Sequence, residues 1–167
     1  YLSNQTGANT LSDEGTYSIT VTTTDNAGNT ATSSAYTVKI DKTAPTISVT
    51  HTSGGATYSG GWTNQDVVST ITFSDGASGI TASTLQWKDT NTAWTSLSNT
   101  STSTYTHTWS DERNAAAQYR IRDEAGNYGY TAEFNIKIDK TKPGKPTYTA
   151  FHPEDNASYT SGTWTNY

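Results

Sequence analysis

The string DNAGN at positions 25–29 returns as DEAGN at positions 123–127, an offset of 98 residues. At the same offset VKIDKTAP (38–45) returns as IKIDKTKP (136–143), and Ser12, Asp13 and Glu14 return as Ser110, Asp111 and Glu112. Three separate blocks with one spacing and no gap leave few foldable arrangements. The period is too long for a solenoid, whose units run to roughly 20–50 residues, and it is the size of a small domain. The chain therefore reads as tandem copies of one unit. A further copy begins near the end, where YSGGWTN (58–64) is echoed by YTSGTWTNY (159–167), with Trp62 and Trp164 separated by 102 positions. This gives three segments: 1–45 as the C-terminal part of one unit, 46–143 as a complete unit, and 144–167 as the start of another. Neither end piece carries a full set of strands, and a partial sandwich has open sheet edges. With Tyr at position 1 and no Met in the chain, the sequence is expected to be a window on a longer array.

Alternation identifies the local structure. Tyr17, Ile19, Val21 and Thr23 fall on one face of a period-two stretch, as do Ala117, Tyr119 and Ile121. Tyr36, Val38 and Ile40 are expected to point inward with Lys39 outward, and Phe134, Ile136 and Ile138 inward with Lys137 outward. Such patterns are strands with one wet face. Further strands are expected at 46–50, 67–73, 85–88 and 103–109. About seven short strands per unit, separated by turn signals, suggest an all-β, Ig-like Greek-key β-sandwich. Composition agrees. Only 31% of the residues are hydrophobic, but charge is also low at 15%, and the chain holds 11 Tyr, 5 Trp and 3 Phe. Thr and Tyr favour strands, so a thin two-sheet domain with a small core fits better than disorder.

The two strands flanking DEAGN are the last two of the unit, so the string is expected to be their hairpin. Gly126 can take a positive φ, Asn127 tolerates one, and the Asp123 carboxylate can accept backbone N–H groups of the turn.

The net charge of −5, without a basic stripe, argues against nucleic acid. No run of even ten apolar residues occurs, so no membrane-inserting segment or signal peptide is expected within these residues. There is no Cys, so stability is assigned to core, turns and metal rather than disulfides. His51, His107 and His152 have no metal-ligand spacing. No nucleophile elbow or phosphate-loop pattern occurs, and paired carboxylates across a groove, as in glycosidases, are not expected in so thin a domain. The reading is non-enzymatic.

The combination D.AGN, a closing strand ending KIDKTAPT, then Y..GWTN and SDGASGI, resembles bacterial Ig-like repeats of large cell-surface proteins and adhesins. The likeness covers the central unit and both flanking pieces. The first copy has Tyr17 where such domains often place a corner tyrosine, and the second has Ala115 there. The resemblance implies stalks or adhesive modules outside the cell. It also implies that a core Trp is Trp87, midway along the third strand.

In this topology the final strand of one unit ends at the pole facing the next. Asp13, Glu14 and Asp41 are then expected at the lower pole of the first unit, with Asp75 and Asp123 at the upper pole of the second. KTAPT forms a short, Pro-stiffened link between them. Hard oxygen ligands of this kind, without Cys or His, suit calcium, which takes six to eight oxygens. An ion there would neutralise like charges and fix the interdomain angle, as in some adhesins of the resembling family. Asp111, Glu112 and Asp139 would repeat the site at the next joint, with partners from the truncated third unit. The alternative is that each Asp caps its own turn.

The expected function is therefore a structural segment of an extracellular bacterial surface filament, stalk or adhesin, with neighbouring repeats of the same chain as partners. A second reading is a glycan-binding Ig-like module on a secreted or surface protein, with Trp94 of NTAWTSL as an exposed platform for a sugar ring. Trp62 and Trp164 recur in Gly-rich turns and read as structural. Lys39, Lys88 and Lys137 point outward, which argues against an intramolecular isopeptide bond. The Ser- and Thr-rich faces could carry O-linked glycans, a point composition leaves open.

Overall fold

The computed structural model describes residues 10–98, 101, 103–151, 158 and 161–162. Much of the expected third piece, including His152, Tyr159 and Trp164, lies outside the described residues.

The first piece forms two antiparallel pairs. β1 (Gly15–Ile19) pairs with β4 (Tyr36–Ile40), and β2 (Thr22–Thr24) pairs with β3 (Thr30–Thr32). The Tyr17 hydroxyl donates to the Asp13 carbonyl at 2.9 Å, which makes it the corner tyrosine that the sequence suggests. Alternation places Tyr36, Ile19 and Val21 inward, but they are 71%, 37% and 49% exposed. Period two fixes which side chains share a face. It does not supply a second layer to cover that face.

Residues 46–138 build two facing sheets. One has the order β11 (Thr104–Trp109), β8 (Val67–Ser74), β5 (Thr46–Ser53), β6 (Ala56–Thr57). The other runs β10 (Thr92–Ser96), β9 (Gln86–Asp89), β12 (Arg113–Arg122), β14 (Phe134–Ile138), β7 (Trp62–Thr63). The short β13 (Tyr128–Tyr130) pairs with the far end of β12 before the chain crosses to β14. No described residue is helical. The architecture is the expected all-β, Ig-like sandwich.

Strict alternation makes the core. Val67, Ser69, Ile71 and Phe73 of β8 face Ala115, Ala117, Tyr119 and Ile121 of β12, and all eight are buried. Ile136 and Ile138 of β14 complete the layer, as the sequence requires. The buried tryptophan is Trp109, 3% exposed; Trp87 packs half-buried beside it, its ring 4.9 Å away and edge-on at 81°. Trp109 takes the depth expected of Trp87 because β11, at the rim of its sheet, turns it inward over Ser69. Ser69 Oγ accepts the Trp109 indole N–H at 2.9 Å and shares a second hydrogen bond of 2.9 Å with His51 Nδ1. Buried polar groups need such partners. His107 Nδ1 is likewise 2.9 Å from the Tyr119 hydroxyl. Burial, aided by the Arg113 charge, pushes the His107 pKa down to about 4.

Candidate functional site

The two copies of the D.AGN hairpin close in the same way. Asp25 Oδ1 accepts the amides of Ala27 and Asn29 at 2.9 and 2.8 Å, and Asn29 Nδ2 donates to Oδ2 at 2.8 Å. Asp123 Oδ1 accepts the amides of Gly126 and Asn127 at 2.6 and 2.8 Å, and Asn127 Nδ2 donates to Oδ2 at 2.8 Å. Gly28 and Gly126 take φ of 91° and 104°, the left-handed region that a side chain resists. The string is thus a self-capped turn in both copies.

The second copy has an additional contact. Asn127 Nδ2 also reaches the carbonyls of Asp41 and Thr43, at 3.2 and 3.4 Å, so the hairpin grips the link between β4 and β5. The adjoining loop does the same from the other side: the Ser78 amide donates to Asp41 Oδ2 at 2.9 Å, and Ser78 Oγ accepts the Ala125 amide at 3.3 Å. Pro45 is buried, and its carbonyl rests directly on Gly129 of β13, where an added methyl would meet it at 2.1 Å.

These contacts bring carboxylate oxygens of Asp41, Asp75 and Asp123 within 4.8 Å of one another. Asp41 comes from the end of β4, Asp75 from the loop after β8, and Asp123 from the end of β12. Asp123 is 1% exposed. Asp75 Oδ2 accepts the amides of Ala77 and Gly79 at 3.0 and 2.7 Å, whereas its buried Oδ1 has no hydrogen-bond partner. The Ser78 hydroxyl, together with the amides of Thr43 and Ser78, holds the Asp41 carboxyl below its ordinary pKa. Among the described residues the ion pairs are Arg113–Asp89 and Lys140–Asp66, so no cationic side chain neutralises the trio.

Asp13 and Glu14 stand outside this cluster. Glu14 Oε1 accepts the Lys42 amide at 2.6 Å and the Thr43 hydroxyl at 2.7 Å, hydrogen bonds that lower its pKa, with Thr43 contributing most. Lys42 Nζ in turn donates to the Ser12 carbonyl. Glu14 therefore ties down the exit of its own unit. The exposed Asp13 carboxylate accepts the neighbouring Ser12 hydroxyl, at 3.3 Å. The exit recurs 98 residues later: Glu112 accepts the Lys140 amide at 3.2 Å and the Thr141 hydroxyl, and Lys140 Nζ donates to the Ser110 carbonyl. Thr43 donates its amide to Asp41 at 3.0 Å and Thr141 to Asp139 at 2.9 Å. Around Asp111, Glu112 and Asp139 no comparable group of three carboxylates forms among the described residues. A cleft of about 520 Å³ opens beside the first joint, lined by Glu14, Lys39, Asp41, Ser78 and Glu124 among others.

Repeat, sandwich and gripped link lead to one comparison. Residues 4–42 match the family model of a bacterial Ig-like domain. Bacterial Ig-like domains are commonly structural, non-catalytic modules of extracellular or surface proteins. The matched stretch contains SDE, DNAGN and KID, the blocks that return within residues 110–139. No curated protein matches the chain.

Sequence reasoning passed over Ser78, Gly129 and the second role of Asn127. The repeat held a signal for one of them: Gly129 stands where the first copy has Ala31, a departure at the point of closest approach.

Proposed function

We propose that this chain is a structural segment of a bacterial surface filament, stalk or adhesin, in which Ig-like units are joined by short, gripped links that set reach and stiffness. The observation that carries the reading is the Asn127 amide, which closes its own hairpin and at the same time holds two carbonyls of the preceding link. A link held by both loops and packed on Gly129 has little torsional freedom. Pro45 restricts it further. The load path would run through these hydrogen bonds between side chains and backbone.

Calcium belongs to the same proposal. The donor set fits a hard cation: three carboxylates, no Cys or His, and one buried oxygen, Asp75 Oδ1, left without a partner. Asp41, Asp75 and Asp123 would hold the ion, with backbone oxygens or water completing its shell. The ion would offset the mutual repulsion of three close anions and so stiffen the joint. Small-angle scattering and thermal unfolding of the chain, each in calcium and in chelator, test the two parts. A single rod-like profile is expected, with a higher melting temperature in calcium. A broad distribution of shapes in both conditions would overturn the stiff joint. An unchanged midpoint, with Asp75→Asn behaving as the unsubstituted chain, would remove the ion and leave the stiff joint standing.

A further inference from the structure

The outer face of the β10–β9–β12–β13 sheet carries an arrangement that mechanical duty does not require. On β12 the residues that alternate with the core are Gln118, Arg120 and Arg122, and they face outward. Register sets Lys88 opposite Gln118, Gln86 opposite Arg120, and Tyr130 and Tyr128 opposite Arg120 and Arg122. Trp94, expected in a polar loop, lies instead on β10 beside a register shift between Thr92 and Thr95. Its ring centre is 5.9 Å from that of Tyr130, and Tyr130 is 6.2 Å from Tyr128.

Arg120 is the centre of the patch. Its guanidinium carbon lies 4.2 Å over the Trp94 ring and 4.6 Å over the Tyr128 ring, and its Nε donates to Gln86 Oε1 at 2.7 Å. Ring contacts and one anchoring hydrogen bond fix the plane of the fork. Among the described residues its terminal nitrogens have no protein acceptor. Lys88 Nζ, 5.2 Å over Trp94, adds a second positive charge, and neither cation is ion-paired among the described residues. The two cations therefore stand together on one face of a chain whose net charge is −5.

We propose that this face binds a carboxylated glycan. The carboxylate of a uronic or sialic acid would accept two parallel N–H groups from the end of the Arg120 fork, one from each terminal nitrogen, the bidentate geometry for which guanidinium is suited. The C–H face of the sugar would lie against Tyr130, 49% exposed, and the edge of Trp94. Gln118 and Ser96 would meet ring hydroxyls. The observation favouring sugar over an acidic protein segment is that the Arg120 fork is set among three rings, Trp94, Tyr130 and Tyr128, tilted to one another by 60° and 38°, so that a single carboxylate position is bordered by apolar ring surface on which sugar C–H groups can rest. The site is independent of calcium and of the joint.

The test uses isothermal titration in chelator, so that no metal bridges the sugar. The probes are trigalacturonate, 3′-sialyllactose, lactose and a Glu-rich peptide. Binding of at least one acidic sugar is expected, with lactose at least about tenfold weaker. Arg120→Lys keeps the charge and loses the fork, and should weaken binding about tenfold or more, the scale of a lost hydrogen bond to a charged group. Trp94→Ala should weaken it similarly. Both variants should retain the wild-type melting temperature, since neither residue lies in the core. Lys88→Gln serves as the second variant if either fails to fold, with a loss of binding again expected. Absence of binding by both acidic sugars, binding unaffected by these substitutions, or tighter binding of the peptide would each overturn the proposal.

Discussion

Replacing Gly129 by Ala tests the gripped joint most directly. The new methyl would sit 2.1 Å from the Pro45 carbonyl oxygen, 3.0 Å from its carbon and 3.6 Å from Ile47 Cγ2. Carbon–oxygen contacts settle near 3.3 Å, so the link must retreat by about 1 Å. The Asn127 bonds to Asp41 and Thr43 are already 3.2 and 3.4 Å long, and such a retreat takes them past hydrogen-bonding distance. Overpacking of this kind costs about 1–3 kcal/mol. Against it stands a gain of about 0.4–1 kcal/mol from a less flexible unfolded chain. The net expectation is a loss of about 1–2 kcal/mol, or roughly 4–16 °C in melting temperature for a unit of this size. Differential scanning calorimetry measures it, and limited proteolysis across 41–45 should show faster cleavage. Gly61→Ala is the control, since no atom lies within 4 Å of its added methyl and its φ is not positive. A Gly129→Ala chain as stable as the original, with its link equally protected, would refute the account of how the link is held.

Two other substitutions probe the sandwich. The Asp89 side chain is fully buried against Arg113, and it also accepts the Asn91 amide at 2.8 Å and the Thr92 hydroxyl at 3.0 Å. Arg113→Leu strands that carboxylate and should cost about 3 kcal/mol in urea titrations, the scale of a broken buried pair; a loss under 1 kcal/mol would contradict it. His107 is held neutral by burial, with a pKa near 4 against 6.5 when free. The unfolded chain therefore binds a proton that the folded chain refuses between those values. Its contribution to stability is complete above pH 6.5 and is lost as the pH falls toward 4. Urea midpoints at pH 7, 5.5 and 4.5 should decline in that order, and His107→Gln should flatten the decline. An equal slope in the variant would show that other groups carry it.

Much of the sandwich was legible because alternation is a local signal. Ala117, Tyr119 and Ile121 faced the core as written, and so did Ile136 and Ile138. The D.AGN turn was also legible, since Asp, Gly and Asn there each have a fixed backbone role. Depth within the core was less so. Trp87 and Trp109 both sit on strands, and only the packing of the two sheets decides which is covered. Trp94 was hidden by its polar neighbours, because an edge strand with both faces wet carries no period-two apolar signal. At the joint, repetition located the acidic corners but could not distinguish Glu14, which binds its own backbone exit, from Asp41, which reaches across. That distinction depends on where a side chain points after the chain turns.

The exit built from Glu14, Lys42 and Thr43 reappears atom for atom in Glu112, Lys140 and Thr141. In an array that copied both this exit and the grip around Asn127 and Gly129, every bead would leave its neighbour with the same twist and tilt. Equal steps about a skewed axis trace a screw, so a few degrees at one exit would decide whether a thread hundreds of ångströms long runs straight or coils.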